Sequence, residues 1–411
     1  MRVLHLATTY PLHAADSNAT FVASIVDGLV ARGHECDVLV PWHPNLEEDR
    51  PGARVIGFRY SPVAAWHPWG YAQALTGDRR LRPDAYLAAP LAALSAQRQV
   101  RRLHRERNYD LLHAHWFLPN GAIAAAAWHR TGLPLVVSCH GSGVFLAEKH
   151  GWAARMGRYV SRHATATTAC SADLARRVNV FGQGAEAIRI PYGVDTKRFA
   201  PLAPTERAAA RARMARAHSL RPDALWVFAI GRLVYKKGFD VLAKAVGSAV
   251  GDGTDVEVIV AGAGPLESEL RQLAARQGAA ERMHWIGAVR NVDVPNYYAA
   301  CDVVAVPSVH GPDGNVDGLP NTLLEALSSG AAVVASDVAG IPDVVRHADN
   351  GLLFPEADVD ALATYITSLS RDAEMLKQLG ARARADALEK LDWVHTVARF
   401  EQVYESVGTT A

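Results

Sequence analysis

The sequence predicts an α/β protein made of two Rossmann-like domains that face each other across a cleft, with a helix at the C-terminus. Three observations carry that expectation. Strand-like apolar runs alternate with helical patterns from end to end, the mark of parallel sheets assembled from βαβ units. One stretch, 192–220, interrupts the rhythm with turn residues, Pro201, Pro204 and an Arg/Ala-rich helix. The length, 411 residues, is generous for one core and comfortable for two of about 200 residues each.

In the first half, strands are expected over 3–8, 35–40, 55–60, 111–115, 135–140, 165–170 and 188–191, because each is a short apolar or β-branched run between turn residues. Helical spacing separates them over 21–32, 87–105, 122–129 and 172–181. After the break the alternation resumes, with strands over 226–230, 256–261, 283–286, 303–307 and 332–336 and helices over 239–250, 266–277, 294–300, 321–329 and 341–347. The tail, 373–407, is helical, with Trp393, Phe400 and Tyr404 as apolar anchors. The expected domains are therefore 1–195 and 196–385, followed by a C-terminal helix, 386–411, that packs back on the first domain. Open parallel sheets bind ligands beyond the carboxyl ends of their strands, so the functional residues should lie in the loops there.

Bulk composition points to no special partner. The chain carries 43 basic against 42 acidic side chains, 49% hydrophobic and 21% charged residues. Such a balance argues for neither nucleic acid nor a membrane. The four cysteines are scattered without C-x-x-C spacing and read as free thiols of a reducing compartment. The opening apolar run is too short for a signal peptide and no 18-residue apolar stretch occurs, so a cytoplasmic protein is expected.

Among the loops, Asp317-Gly-Leu-Pro-Asn-Thr-Leu-Leu-Glu325 is the most informative. It sets one carboxylate in a Gly/Pro loop and a second about a turn inside a helix that Pro320 is suited to start. The backbone N–H groups of Asn321, Thr322 and Leu323, together with the helix dipole, would seat an anion such as a diphosphate. An acid pair at this spacing also arises by chance, so the segment needs company. It has some: Gly231-Arg-Leu-Val-Tyr-Lys-Lys-Gly238 ends the first strand of the second half, where Arg232 and Lys237 could converge on phosphate oxygens. Lys236 beside them reads as a solvated loop residue. Ala261-Gly-Ala-Gly264 matches a dinucleotide fingerprint incompletely, since Glu267 stands where the third glycine would be, and reads instead as a tight turn lining a nucleotide.

In the first half, His140 follows a buried strand and is flanked by glycine, which lets a ligand approach the backbone. His113 and His115 close the preceding strand ahead of Trp116 and share one of its faces; they could form a polar rim on the acceptor side or simply cap the strand. Asn18 and Thr20, in the loop before the first helix, can offer hydrogen bonds. Arg98, Arg101, Arg102, Arg105 and Arg107 make a basic helix run that could meet anionic lipid, although such runs are usually only solvated faces. No nucleophile elbow, Walker A sequence or metal-ligand spacing occurs.

Taken together, these motifs resemble the retaining family 4 glycosyltransferases (glycosyl transferases group 1) of the GT-B fold. The resemblance rests on Arg32-Gly-His-Glu35, His140-Gly, Pro191-Tyr-Gly-Val-Asp195, Gly231-Arg-Leu with Lys237-Gly, Gly262-x-Gly-Pro and the Asp317/Glu325 segment, which occur in the family's order. It implies transfer of a sugar from a nucleoside-diphosphate sugar to a hydroxyl acceptor that is a glycan, a lipid-linked molecule or a small molecule, in polysaccharide or glycoconjugate synthesis. The first domain would be the acceptor side and the second the donor side. Arg232 and Lys237 would hold the diphosphate, Asn321–Leu323 would complete its cradle, and Glu325 would bind the ribose. Asp317 would contact the transferred sugar, Val289 the base, and His140 the sugar or acceptor. Asp317 is one methylene shorter than the family's usual Glu. No cofactor and no metal are expected, since protein cations would meet the diphosphate. The acceptor would bring the protein to the inner face of the plasma membrane if it is lipid-linked. A GT-B-like sugar-nucleotide epimerase is the rival reading; a dinucleotide oxidoreductase is disfavoured by the incomplete glycine fingerprint.

Overall fold

In a computed structural model all residues are described except 14–15, 17, 49–51, 64–65, 72–74, 77–79, 183–184 and 409–411. The chain divides into two compact units, Met1–Tyr192 with Trp393–Ala411, and Gly193–Asp392. The chain leaves the first unit at Tyr192 and re-enters it at Trp393 rather than at 386. The reason is local: inside the second unit Val194 N–H donates to Leu391 O at 2.7 Å and Thr196 Oγ1 to Asp392 Oδ2 at 2.5 Å, which ties the outgoing and returning segments together.

The first unit runs β1 (Arg2–Leu6), α1 (Thr20–Ala31), β2 (Glu35–Pro41), β3 (Arg54–Phe58), a short antiparallel hairpin of β4 (Leu75–Thr76) and β5 (Arg80–Leu81), then α2 (Pro83–Arg107). There follow β6 (Leu111–His115), α3 (Ala122–Thr131), β7 (Leu135–Cys139), α4 (Ser142–Lys149), α5 (Gly151–His163), β8 (Ala166–Ala169), α6 (Ala172–Asn179) and β9 (Ile188–Arg189). Its seven-stranded sheet has the order β3-β2-β1-β6-β7-β8-β9, with every pair parallel. Strands such as Leu135–Cys139 are buried throughout, as expected of parallel strands covered on both faces.

The second unit contains α7 (Pro204–His218), β10 (Leu225–Ile230), α8 (Phe239–Gly251), β11 (Val256–Ala261), α9 (Glu267–Arg276), β12 (Met283–Gly287), α10 (Val294–Ala300) and β13 (Val303–Val306). It continues through α11 (Asn321–Ser328), β14 (Ala332–Ser336), β15 (Leu352–Phe354), α12 (Val359–Arg371) and α13 (Ala373–Asp386). The order β12-β11-β10-β13-β14-β15 is again wholly parallel, and reverses direction between β10 and β13, where such sheets form their binding crevice. The expected helix over 341–347 is only a 3₁₀ turn, Ile341–Asp343, since the backbone leaves helical geometry at Val344 (φ −124°, ψ −22°).

The last helix, α14 (Trp393–Gly408), packs on α1 of the first unit. Val397, Phe400 and Tyr404 join the core of that unit, and Glu401 binds Arg32 at 2.5 Å and His34 at 3.0 Å. The four cysteines are buried and none is joined in a disulfide. No helix among the described residues is long and apolar enough to cross a membrane.

Candidate functional site

The second unit brings a group of charged residues together at the carboxyl end of β10. The strand stops at Ile230, and the chain turns through a 3₁₀ segment, Tyr235–Lys237, into α8. Gly238 makes the turn possible: at φ 66° it lies in the left-handed region, and a Cβ there would sit 1.6 Å from the carbonyl oxygen of Pro307. The turn delivers both lysines to one carboxylate. Lys236 Nζ is 2.9 Å from Asp317 Oδ1, and Lys237 Nζ lies 2.6 Å from Oδ2 as an ion contact without hydrogen-bond geometry. Burial alone would raise the Asp317 pKa, but the charges of Lys237 and then Lys236 outweigh it and hold the carboxyl well below the usual carboxylate range. Lys236 is thus no solvated loop residue; its side chain is only 16% exposed. No local pattern marks this pairing, because Asp317 is far away in the chain.

Arg232, exposed, stands at the head of the same turn. Two lysines against one carboxylate leave that group with a net positive charge, suited to an anion.

Beyond Asp317, α11 begins at Asn321 with no side-chain cap. Of the three expected anion-binding amides, Leu323 N–H is already committed: it donates to Pro320 O at 3.1 Å because the first turn closes early. Asn321 and Thr322 have no backbone partner among the described residues, as the start of a helix requires. Asn321 Oδ1 is buried without a hydrogen-bond partner. Thr322 and Lys237 also line a small hollow with Ser308, whose hydroxyl is likewise unpartnered. Such orphaned groups call for an occupant.

Glu325 lies one turn further along α11. Its Oε2 accepts the hydroxyl of the fully buried Tyr298 at 2.9 Å. Burial pushes the Glu325 pKa up to about 7, against the opposing pull of Tyr298, Arg198 and Lys237. Tyr298 is a partner that sequence pattern does not single out, since it reads as an ordinary core aromatic of α10. Val289 is half-buried in the loop after β12. Gly264 faces backbone: a Cβ there would lie 2.5 Å from Leu233 O and 2.6 Å from its N. The glycine is required for the 262–264 turn to pack on the 231–233 backbone, where Leu233 N–H donates to Ala263 O at 3.0 Å. A ligand need not be invoked for it.

In the first unit His140 Nδ1 is 2.8 Å from Tyr192 Oη and its Nε2 is 3.2 Å from His115 Nδ1. Phe21 and Trp116 flank the ring, with centroids at 4.8 and 5.2 Å. Burial lowers its pKa to about 3, so the imidazole is neutral. The expected polar rim at His113 and His115 is not a rim at all. Both are fully buried, because β6 is an inner strand covered by α14: His113 Nδ1 meets Tyr404 Oη at 2.6 Å and its Nε2 meets Ser138 Oγ at 2.6 Å. Trp116, half-buried at φ 73°, is the residue that emerges from that strand. Asn18 spends its side-chain amide on Asp16 Oδ1 at 2.8 Å, and Thr20 opens α1.

A helix N-terminus beside two lysines at the crevice of a parallel sheet, with a partly buried carboxyl one turn along, suits a phosphate-bearing nucleotide ligand; the two Rossmann-like units are those of the GT-B fold. Sequence comparison agrees. Residues 19–198 match the model of Glycosyltransferase Family 4, and residues 211–386 that of Glycosyl transferases group 1. The chain belongs to the family 4 glycosyltransferases. It is 28% identical to a GDP-mannose-dependent alpha-(1-6)-phosphatidylinositol monomannoside mannosyltransferase of Mycolicibacterium smegmatis, over 92% of this chain and 91% of that protein. Its fold is similar to that of sucrose-phosphate synthase from Thermosynechococcus elongatus, with a TM-score of 0.79, 19% identity and both chains covered fully. It is also similar to HepE of Anabaena in complex with UDP-glucose, with a TM-score of 0.74, 20% identity, and 99% of this chain and 100% of that one covered.

Proposed function

We propose that this enzyme transfers a hexose, with retention of anomeric configuration, from a nucleoside-diphosphate sugar to a hydroxyl of a lipid-linked acceptor in glycoconjugate synthesis. The observation that carries the reading is the cluster of Lys236, Lys237 and Asp317 beside the uncapped start of α11. Arg232, Lys237 and the amides of Asn321 and Thr322 stabilise the diphosphate as charge develops on it. Glu325 accepts the ribose hydroxyls and Asp317 those of the sugar. In the unliganded cluster the lysines neutralise Asp317; an arriving diphosphate draws at least one of them to itself and releases the carboxylate for the sugar. Val289 backs the base. Same-face attack, with a departing phosphate oxygen taking the acceptor's proton, needs no carboxylate nucleophile. No divalent metal is required where protein cations meet the diphosphate.

The named mannosyltransferase relative supports a mannosyl donor and a lipid acceptor. Helix α2 supports the same acceptor class. Its buried face is Ala85, Ala88, Ala92, Ala96, Val100 and Leu103, while Leu87, Leu91 and Leu94 are 72%, 43% and 49% exposed. At the same helical spacing the stripe continues into Arg98, Arg101 and Arg105. An apolar stripe running into cations fits an anionic bilayer surface.

Thermal-shift screening against GDP, UDP, ADP and their sugars, followed by Lys237→Ala and Glu325→Ala, tests the donor site. A specific binder raises Tm in the wild type and fails to do so in both variants. Near-native transfer by both variants overturns the assignment.

A further inference from the structure

The buried His5 and His115 and the partly buried His140 of the first unit form a chain whose direction can be worked out. His5 Nδ1 lies 3.1 Å from His115 Nε2, His115 Nδ1 3.2 Å from His140 Nε2, and His140 Nδ1 2.8 Å from Tyr192 Oη. All three rings are neutral, since burial lowers His5 and His140 to about 3 and His115 well below its ordinary value. A neutral imidazole has one N–H and one lone pair, so placing a single proton fixes every other along the chain.

Two orders exist. In the inward order Tyr192 donates to His140, His140 Nε2–H to His115 and His115 Nε2–H to His5 Nδ1. That leaves the His5 proton on Nε2, a buried atom with no partner among the described residues. In the outward order His5 Nδ1–H donates to His115 Nε2, His115 Nδ1–H to His140 Nε2 and His140 Nδ1–H to Tyr192 Oη. His5 then buries only a bare lone pair, which is tolerated more often than an orphaned N–H.

We propose that the chain runs outward, so that His115 is a positioning residue that fixes His140 as its Nδ1–H tautomer. Both ring nitrogens of His140 are then spent inside the protein. Where His140 meets the sugar or acceptor, a consequence that rests on the reading above, it does so through ring carbons and the face it shares with Phe21 and Trp116. It cannot take the acceptor's proton, which leaves that task to the departing phosphate.

The competing use of these rings is a metal. His5, His113 and His115 bring one nitrogen each within 4.8 Å of one another. Hydrogen bonds already engage five of their six nitrogens, all but His5 Nε2, so an ion there would have to break the chain.

Long-range ¹H–¹⁵N NMR of the full-length, ¹⁵N-labelled protein reads the tautomers directly, with His140→Gln to assign the ring. The wild type is expected to show His140 and His115 protonated at Nδ1. His115→Asn, whose amide N–H stands in for Nδ1–H, keeps His140 in that form; His115→Leu releases it to a mixture containing Nε2–H. A wild-type His140 protonated at Nε2 overturns the proposal, as does a stoichiometric divalent ion in the purified protein whose chelation rearranges these signals. If His115→Leu fails to fold, the wild-type and His115→Asn spectra decide. Nucleotide binding is read separately by thermal shift, so failure of the donor-site reading is distinguishable from failure of the chain.

Discussion

Glu325→Gln should stabilise the ligand-free enzyme in a pH-dependent way. Burial raises the Glu325 carboxyl from 4.5 to about 7, so the folded state holds a proton that the unfolded chain has released. A raised carboxyl pKa works in one direction. Stability is greatest below about pH 4.5, and is lost as pH rises through about 7, where the buried group must ionise. The displacement corresponds to about 3 kcal/mol at full ionisation, reached near pH 8, and to less than about 1 kcal/mol at pH 5. Glutamine keeps the acceptor for Tyr298 and never ionises. Whatever constant cost the amide brings cancels between the two pH values, and every other titrating group is common to both proteins. Relative to wild type, the variant should therefore gain about 2 to 3 kcal/mol between pH 5 and pH 8. Chemical denaturation of both proteins at the two pH values, without nucleotide, measures the difference. A wild-type-minus-variant difference that does not change with pH would refute a partly buried, proton-holding Glu325.

Asp317 has the opposite sign: its depressed pKa stabilises the fold above about pH 4 and that contribution is lost only as the carboxyl protonates at lower pH. Asp317→Asn should thus destabilise at pH 7 and progressively less in acid, as urea titrations at several pH values will show. Lys236→Ala and Lys237→Ala should each cost about 1 to 3 kcal/mol, since one lysine remains on the carboxylate, and the double variant more than their sum; a double-mutant cycle reads the excess. Gly264→Ala should cost about 2 kcal/mol or more by forcing the 262–264 turn off the Leu233 backbone, measurable as a lower denaturation midpoint. Arg98→Glu with Arg105→Glu should reduce flotation with anionic liposomes at least about tenfold, and Leu91→Asp should do so as well; unchanged flotation removes the membrane reading.

What the sequence disclosed and what it hid follow from the range of the interactions involved. β10 and β14 announce themselves because a strand covered on both faces is a local run of apolar residues, and α11 because Pro320 and the apolar spacing behind it are neighbours in sequence. Lys236 looked solvated because its partner Asp317 arrives from the loop after β13. β6 misled in a different way. His113 and His115 alternate as a polar face would, yet the face is interior. It is tolerable only because Tyr404 of α14, Ser138 and His140 of the next strand's end, and His5 of the next strand over satisfy the ring nitrogens. Alternation reports polarity, and exposure follows from polarity only when no distant group completes the hydrogen bonds. The same consideration separates the candidate residues of the first unit from those of the second. Around His140 the protein has supplied nearly every polar partner itself, whereas around α11 Asn321 Oδ1 and Ser308 Oγ remain unsatisfied. A fold that completes one buried network and leaves the other open has kept the second for a ligand, and it is there, between Lys237 and Glu325, that the donor should bind.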